Sequence, residues 1–232
     1  MAALTYVRKV LGATAICGLL AACGGQQARD QGAVDALRTA REKVDAAGSA
    51  RIDATMDSGD RLASHSAGTL RWSGGVEGTL TVRVTGGALA ASTRKLGGDP
   101  SQTRFLPDAY YTRMTDAFAT AQGGRHWIRH PYDAGTDPSP ADSLRTLAAA
   151  TDVRKVGEET VHGRRTCHYG GTSGGQRIDV WIDDRHLLVR RTQRAGDFSS
   201  TVRYRDWGTS VAAAGRPPAG DTVDIEDVAS GR

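Results

Sequence analysis

Cysteine is scarce in this chain. Three Cys in 232 residues exclude a disulfide-dense secreted scaffold. Long apolar runs are scarce as well: one N-terminal stretch reaches a length and hydrophobicity worth testing against a membrane, which excludes a multi-span membrane protein. Lysine occurs only at 9, 43, 95 and 155, so nearly all positive charge is Arg. There is no basic block interleaved with aromatics of the kind nucleic-acid binding uses, and no nucleic-acid partner is expected. Aromatics make up 6% of the chain, with 3 Phe. What is present is 39% hydrophobic and 24% charged residues, enough apolar material for one core and too much for a wholly disordered chain. The length suits one domain with something at its N-terminus.

That N-terminus has three zones. Arg8 and Lys9 supply a positive region, Val10 to Leu20 is uncharged and apolar, and Ala21-Ala22 lead into Cys23. The layout is that of a secretory signal, too short for a stable spanning helix. Leu20-Ala21-Ala22-Cys23 matches the lipobox of bacterial lipoprotein signals, followed by Gly24 and Gly25. The motif has a chemical logic. The Cys23 thiol takes a diacylglyceryl group, and the peptidase then cuts before Cys23, where small side chains at 21 and 22 fit its groove. Two buried acyl chains, at roughly 0.8 kcal/mol per CH₂, hold a protein stably on a membrane surface. Residues 1–22 are thus expected to be a signal peptide, and residues 23–32 a lipidated cysteine and flexible tether. Losing residues 1–22 leaves 28 basic against 26 acidic side chains, a net +2. Cys17 leaves with the signal and Cys23 becomes a thioether, so Cys167 is the remaining thiol and no intrachain disulfide forms.

Past the tether, Val34, Leu37, Ala40 and Val44 share one helical face, which predicts a helix over 33–47 ended by Gly48. From Ser49 the period changes from 3.6 to 2. Alternation predicts strands over 49–56 and 79–84, with further candidates at 89–96, 108–114 and 125–130. A second helix is expected over 140–150, with Ser139 or Asp142 at its start. Strands follow at 152–158, 164–169, 178–183, 187–192 and 200–207, and residues 212–232 read as a loosely ordered tail. Runs of strands without intervening helices cannot be parallel neighbours, so the expected class is α+β with an antiparallel sheet.

Catalytic and metal patterns are weak. Gly171-Thr172-Ser173-Gly174-Gly175 satisfies G-x-S-x-G, but a nucleophile elbow needs a strand-to-helix turn, and here strands flank it on both sides. His126 and His130 stand four apart on one strand, about 13 Å, too far to share an ion. Glu158-Glu159 and Asp183-Asp184 lie at strand ends, with no partner that would split their pKa values. No catalytic residue, metal or cofactor is expected.

One stretch is recognisable. Leu144-Arg145-Thr146-Leu147, Thr151-Asp152-Val153-Arg154-Lys155-Val156-Gly157-Glu158-Glu159-Thr160-Val161-His162-Gly163, Val180-Trp181-Ile182-Asp183 and Leu187-Leu188-Val189-Arg190-Arg191 together resemble the LppX/LprG-type lipoproteins of the LolA-like group. The resemblance covers residues 33–211 and implies a half-open, strongly curved antiparallel sheet with helices in its concave mouth. It also implies an apolar cavity between sheet and helices for acyl chains. Tyr110, Trp127, Val180 and Ile182 are candidate lining residues, although the aromatics fit burial in the core equally well, and the face of 180–183 that meets the cavity stays open. Short aliphatic runs broken by Arg and Thr depart from a roomy, multi-chain cavity. The leading reading is a non-enzymatic lipoprotein on the extracytoplasmic face of the cell membrane, binding a lipid or other apolar ligand for carriage or presentation. The alternative is an envelope sensor acting through a membrane-protein partner.

Overall fold

The computed structural model describes residues 30–132 and 139–230. The expected signal peptide, Cys23 and most of the tether lie outside the described residues. Helix α1 (Gln31–Ala47) starts at Asp30, whose side chain accepts the Ala33 N–H, and ends at Gly48 in the left-handed region at φ 69°. Its buried face is Ala33, Val34, Leu37, Ala40 and Val44, the apolar stripe that the sequence periodicity predicts.

Among the described residues twelve strands follow: β1 (Ser49–Ser58), β2 (Ala63–Arg71), β3 (Glu77–Gly86), β4 (Ser101–Leu106), β5 (Ala109–Arg113), β6 (Trp127–Pro131), β7 (Arg154–Val161), β8 (Arg164–Ser173), β9 (Gln176–Asp183), β10 (Leu188–Ala195), β11 (Phe198–Arg205) and β12 (Thr222–Asp224). They form one sheet in the order β12-β6-β5-β4-β3-β2-β1-β11-β10-β9-β8-β7. The sheet does not close, and it is antiparallel except where β12 runs parallel to β6. At the free edge, β7 exposes Lys155, Glu158 and Glu159, charges that discourage pairing with another chain.

Curvature has a local cause in β2 and β3. Gly68 pairs with Leu80 and Gly78 with Leu70. A Cβ on Gly68 would lie 2.1 Å from the Thr79 carbonyl oxygen, and one on Gly78 2.2 Å from that of Thr69. Only strands lacking side chains at both positions can approach this closely.

Helix α4 (Pro140–Ala149) begins with Ser139 accepting the Ala141 N–H and Pro140 in its first turn, as its sequence predicts. Together with α1 it covers the inward face of β1 and β8–β11. Leu37, Val44, Leu144 and Leu147 pack there against Ile52, Val180, Ile182, Leu188, Val202 and Tyr204. At the far end of α1, Trp72 donates to the Val44 carbonyl at 3.1 Å and meets Trp207 edge-on at 5.6 Å.

Two local expectations are corrected, and one strand lies where none was expected. Residues 89–96, expected as a strand, lie largely in a helix, α2 (Ala90–Gly97), with α3 (Asp116–Ala121) nearby. Ala, Arg, Lys and Leu are good helix formers, and Arg94 fastens α2 to β3 through the Val84 carbonyl at 2.7 Å. Residues 63–71 carry mostly small and polar side chains whose alternation is faint, yet they form β2. The tail expected to be loose is held by distant contacts. Ala214 is buried, Arg216 pairs with Asp108 at 2.6 Å, β12 extends the sheet, and a last helix, α5 (Ile225–Ser230), ends the described residues.

Candidate functional site

Cross-strand register defines the concave face. Starting from Val180 and following partners across the sheet, the inward set is Tyr169, Val180, Arg191, Val202, Ala54, Ser66, Val82 and Ser101. One step along the strands, Ile52, Gly68, Leu80, Thr103, Thr112 and Ile128 share that face. The half formed by β1 and β8–β11 lies under α1 and α4. Farther round, Ser66, Val82 and Thr112 are only half-buried, so the floor continues beyond the helices.

The candidate lining residues divide accordingly. Val180 and Ile182 are buried beneath α1 and α4, which settles the orientation of β9: its aliphatic side chains point inward and Trp181 outward. Tyr110 shares the inward face but stands in the other half, stacked on His130 with ring centroids 4.4 Å apart and planes 2° from parallel. Phe105 extends this aromatic strip at 5.8 Å. Burial lowers the His130 pKa, favouring the neutral ring. Trp127 is on the opposite face, since Ile128 and His130 take the inward positions of β6. There it packs with Leu106, Ala109, Tyr111 and Ala214 under the Arg104 guanidinium at 4.5 Å. The fold thus brings Val180 and Ile182 together, keeps Tyr110 on the same surface at a distance, and leaves Trp127 outside it.

Beside α1, a cleft of about 280 Å³ opens onto the inward face. Ala36, Cys167, Tyr169 and Ile182 line it, with Glu158, Arg165, Asp183 and His186 also at its walls. Larger hollows lie elsewhere. One of about 520 Å³ is bordered mainly by charged side chains, among them Asp53, Arg164 and Arg203, together with Val189 and Tyr204.

The titratable groups have structural partners. Hydrogen bonds from Lys155 and then Arg165 hold Glu158 at a pKa of about 2, unsuited to donating a proton near neutrality. Asp183 is buried and accepts the N–H groups of Arg185 and Leu187 at 3.1 and 2.9 Å, organising the β9–β10 turn. His126 lies just before β6 and is held between Asp221 and Asp116 at 2.9 and 3.1 Å. Among the described residues, no group of three or more His, Cys, Asp and Glu is arranged to hold a metal ion. The G-x-S-x-G stretch passes through the β8–β9 hairpin, where Gly174 and Gly175 have φ of 57° and 76°. This is the two-residue turn with positive φ at both positions, not an elbow entering a helix. The arrangement suits burial of apolar groups.

Residue Arg191, which sequence reasoning did not single out, also reaches the concave face. Its Nη1 donates to Ser143 Oγ of α4 at 2.7 Å, and its charge lies near Tyr204, whose pKa burial raises. No local signal marks it, because Arg190-Arg191 are alternately in and out only after the register of β10 is known.

No family model matches the chain. SCO4650 of Streptomyces coelicolor, which bears a lipoprotein name, is 43% identical over 216 residues, covering 84% of this chain and 75% of that protein. An uncharacterised 31.2 kDa protein of Streptomyces griseus is 32% identical over 244 residues, covering 84% and 80%. In fold, the chain matches the lipoprotein LppX of Mycobacterium tuberculosis with a TM-score of 0.54 at 15% identity, over 80% of this chain and 100% of that one. LprF of Mycobacterium bovis gives 0.53 at 14% identity, over 81% and 98%. The half-barrel with helices on its concave side is therefore the fold of LppX and LprF. By its identity to SCO4650 across most of both sequences, the chain belongs to that protein's family, and its fold is that of the lipoproteins LppX and LprF.

Proposed function

We propose that this protein is exported by residues 1–22, lipidated on Cys23, and held on the extracytoplasmic face of the cell membrane. There its half-barrel binds a lipid or other apolar ligand for carriage or presentation. The observation that carries this reading is the apolar inward face of an unclosed sheet, covered by α1 and α4, with a cleft at their margin lined by Ala36, Tyr169 and Ile182. A curved sheet too open to fill its own concavity leaves apolar surface for a helix or a ligand to cover. The mechanism is burial, with no covalent chemistry. At about 280 Å³, the cleft lies near the lower end of ligand cavities, roughly 300–1,000 Å³, and fits one chain better than several. A few aromatics and short aliphatic runs are in keeping with that scale.

Native mass spectrometry of the chain from Gly24 onward tests the reading, with the protein exported in a host of its own type and bound lipids then extracted and identified. A stoichiometric added mass that resolves into one lipid class supports binding and supplies the ligand. An apo mass that persists after candidate envelope lipids are added overturns it and leaves a protein-contact role as the better account.

A further inference from the structure

Strand β10 carries three arginines within five residues, Arg190, Arg191 and Arg194, and they are not equivalent. The pairing slips between Leu188 and Arg190: Leu188 faces Ile182 and Arg190 faces Trp181, leaving Val189 as an extra residue. A bulge of this kind reverses the in–out phase of everything after it. Val189 and Arg190 therefore both lie outward, Val189 against Val161 and Trp181 and Arg190 over the Trp181 ring at 3.6 Å. Arg191 turns inward between Val180 and Val202, both part of the apolar core.

The outward arginines have acidic neighbours, Glu159 at 3.6 Å from Arg190 and Asp179 at 3.9 Å from Arg194. Among the described residues, none pairs with Arg191. Of its five N–H donors, Ser143 takes one, and Nε is buried without a partner. Arginine cannot shed its charge by losing a proton, and an uncompensated charge at an apolar surface is costly. An aliphatic side chain would pack between Val180 and Val202 without that cost.

We infer that Arg191 seats an anionic group of the ligand, a carboxylate or a phosphate, so that the occupant of the half-barrel is an anionic amphiphile. This rests on the ligand-binding reading above. The planar guanidinium offers such oxyanions a paired donor geometry. The surroundings give the ligand a direction. Towards one end of β10 the inward face is Leu188 opposite Ile182, apolar and leading to the cleft beside α1. Towards the other it is Gln193, half-buried, flanked by Ser200 and the buried Ile178 and hydrogen-bonded to Gln176. The tail lies towards Ile182 and the headgroup towards Gln193.

The test uses three probes with one chain and different heads: hexadecanoate, hexadecyl phosphate and hexadecanol. Each is titrated by native mass spectrometry into the full-length lipidated protein in detergent, wild type and Arg191→Met, with circular dichroism as a check on folding. Wild type is expected to bind at least one anionic probe about tenfold more tightly than hexadecanol, the scale of one hydrogen-bonded charge contact. In Arg191→Met that preference disappears while hexadecanol affinity is kept. Preference for hexadecanoate over hexadecyl phosphate assigns a fatty-acid-type ligand, and the reverse a phospholipid-type one. Binding of all three without discrimination in wild type overturns the Arg191 inference and leaves lipid binding standing, whether or not the variant folds; so does a preference that survives the substitution. Failure of every probe to bind wild type overturns the ligand-binding reading itself.

Discussion

Asp30 accepts the backbone N–H of Lys155 through Oδ2 at 3.1 Å, joining the first residue before α1 to the edge strand β7. Its other oxygen accepts the Ala33 N–H at 3.1 Å, and its own N–H donates to the Val153 carbonyl. One carboxylate thus caps the helix and docks it to the sheet. These bonds, the one from Lys155 first, hold the Asp30 pKa below 3.8. Its contribution to stability is present above 3.8 and is lost as pH falls through the lower folded value. Asp30→Ala is expected to lower the urea midpoint at pH 7 and to flatten the acid limb of stability. Asp30→Asn, which retains an acceptor for Ala33, falls between the two. Denaturation curves at several pH values check this order.

Leu144 on α4 is fully buried in the core shared with α1. Leu144→Ala is expected to cost about 2–5 kcal/mol. Leu96, 40% exposed, gives the contrast, and Leu96→Ala is expected to fall within about 0.5 kcal/mol of wild type. Equilibrium urea unfolding separates the two. Similar costs would count against the α1–α4 core as the main packing unit.

Gly78 is predicted to be less tolerant than Gly163. Both have positive φ, 145° and 77°. A Cβ at Gly163 meets nothing within 4 Å, whereas one at Gly78 overlaps the Thr69 carbonyl. Gly163→Ala should cost about 1 kcal/mol from backbone strain alone. Gly78→Ala should exceed it by a further 1–3 kcal/mol, roughly the cost of an overpacked site. Melting midpoints of the two variants suffice to rank them.

His126 joins the start of β6 to α3 and to the C-terminal segment through its bonds to Asp221 and Asp116. The Asp221 bond, then the one to Asp116, raises its pKa above 6.5. A raised folded pKa means that the stabilisation is full below about 6.5 and is lost as pH rises through the folded value. Wild type should therefore lose stability relative to His126→Phe between pH 6 and pH 9, with the C-terminal segment first to exchange amide hydrogens. Thermal melts across that range and hydrogen exchange of residues 219–230 are the measurements. Parallel pH profiles for the two proteins would reject the prediction.

Cys23→Ser removes the acyl acceptor of the proposed anchor. The variant is expected to keep an uncut, slower-migrating signal peptide and to lack the diacylglyceryl mass, so that no processed chain is found in the washed membrane fraction. Fractionation followed by intact-mass analysis reads both effects. Retention in the membrane as a processed chain would count against the lipobox.

Several features of this protein were legible locally. The apolar stripe of α1, the left-handed Gly48, the Ser139 cap with Pro140 behind it and the Gly174-Gly175 hairpin each depend on residues within a few positions of one another. The antiparallel class followed from strand runs without crossover helices, and the LppX/LprG resemblance from the diffuse succession between residues 144 and 191. By contrast, β2 has too little side-chain contrast to show its period. Helix α2 carries an alternation that its propensity and the Arg94 contact override. The C-terminal segment is ordered by Asp108, His126 and β6, roughly a hundred residues away in sequence.

The site divides along the same line. Alternation alone says that Trp127 and Ile128, or Val180 and Trp181, lie on opposite faces, because the side-chain period of a strand is 2. It cannot say which face is inside. Register with neighbouring strands decided that Val180, Ile182 and Tyr110 point inward and that Trp127 does not. A one-residue bulge at Val189 then decided that Arg191, rather than Arg190, carries a charge onto the apolar face. Composition and local pattern predict an export-type leader, and they determined two amphipathic helices and an antiparallel sheet. Only the pairing of strands distant in sequence could choose the chemistry of the concave surface, since a slip of one residue exchanges the two faces.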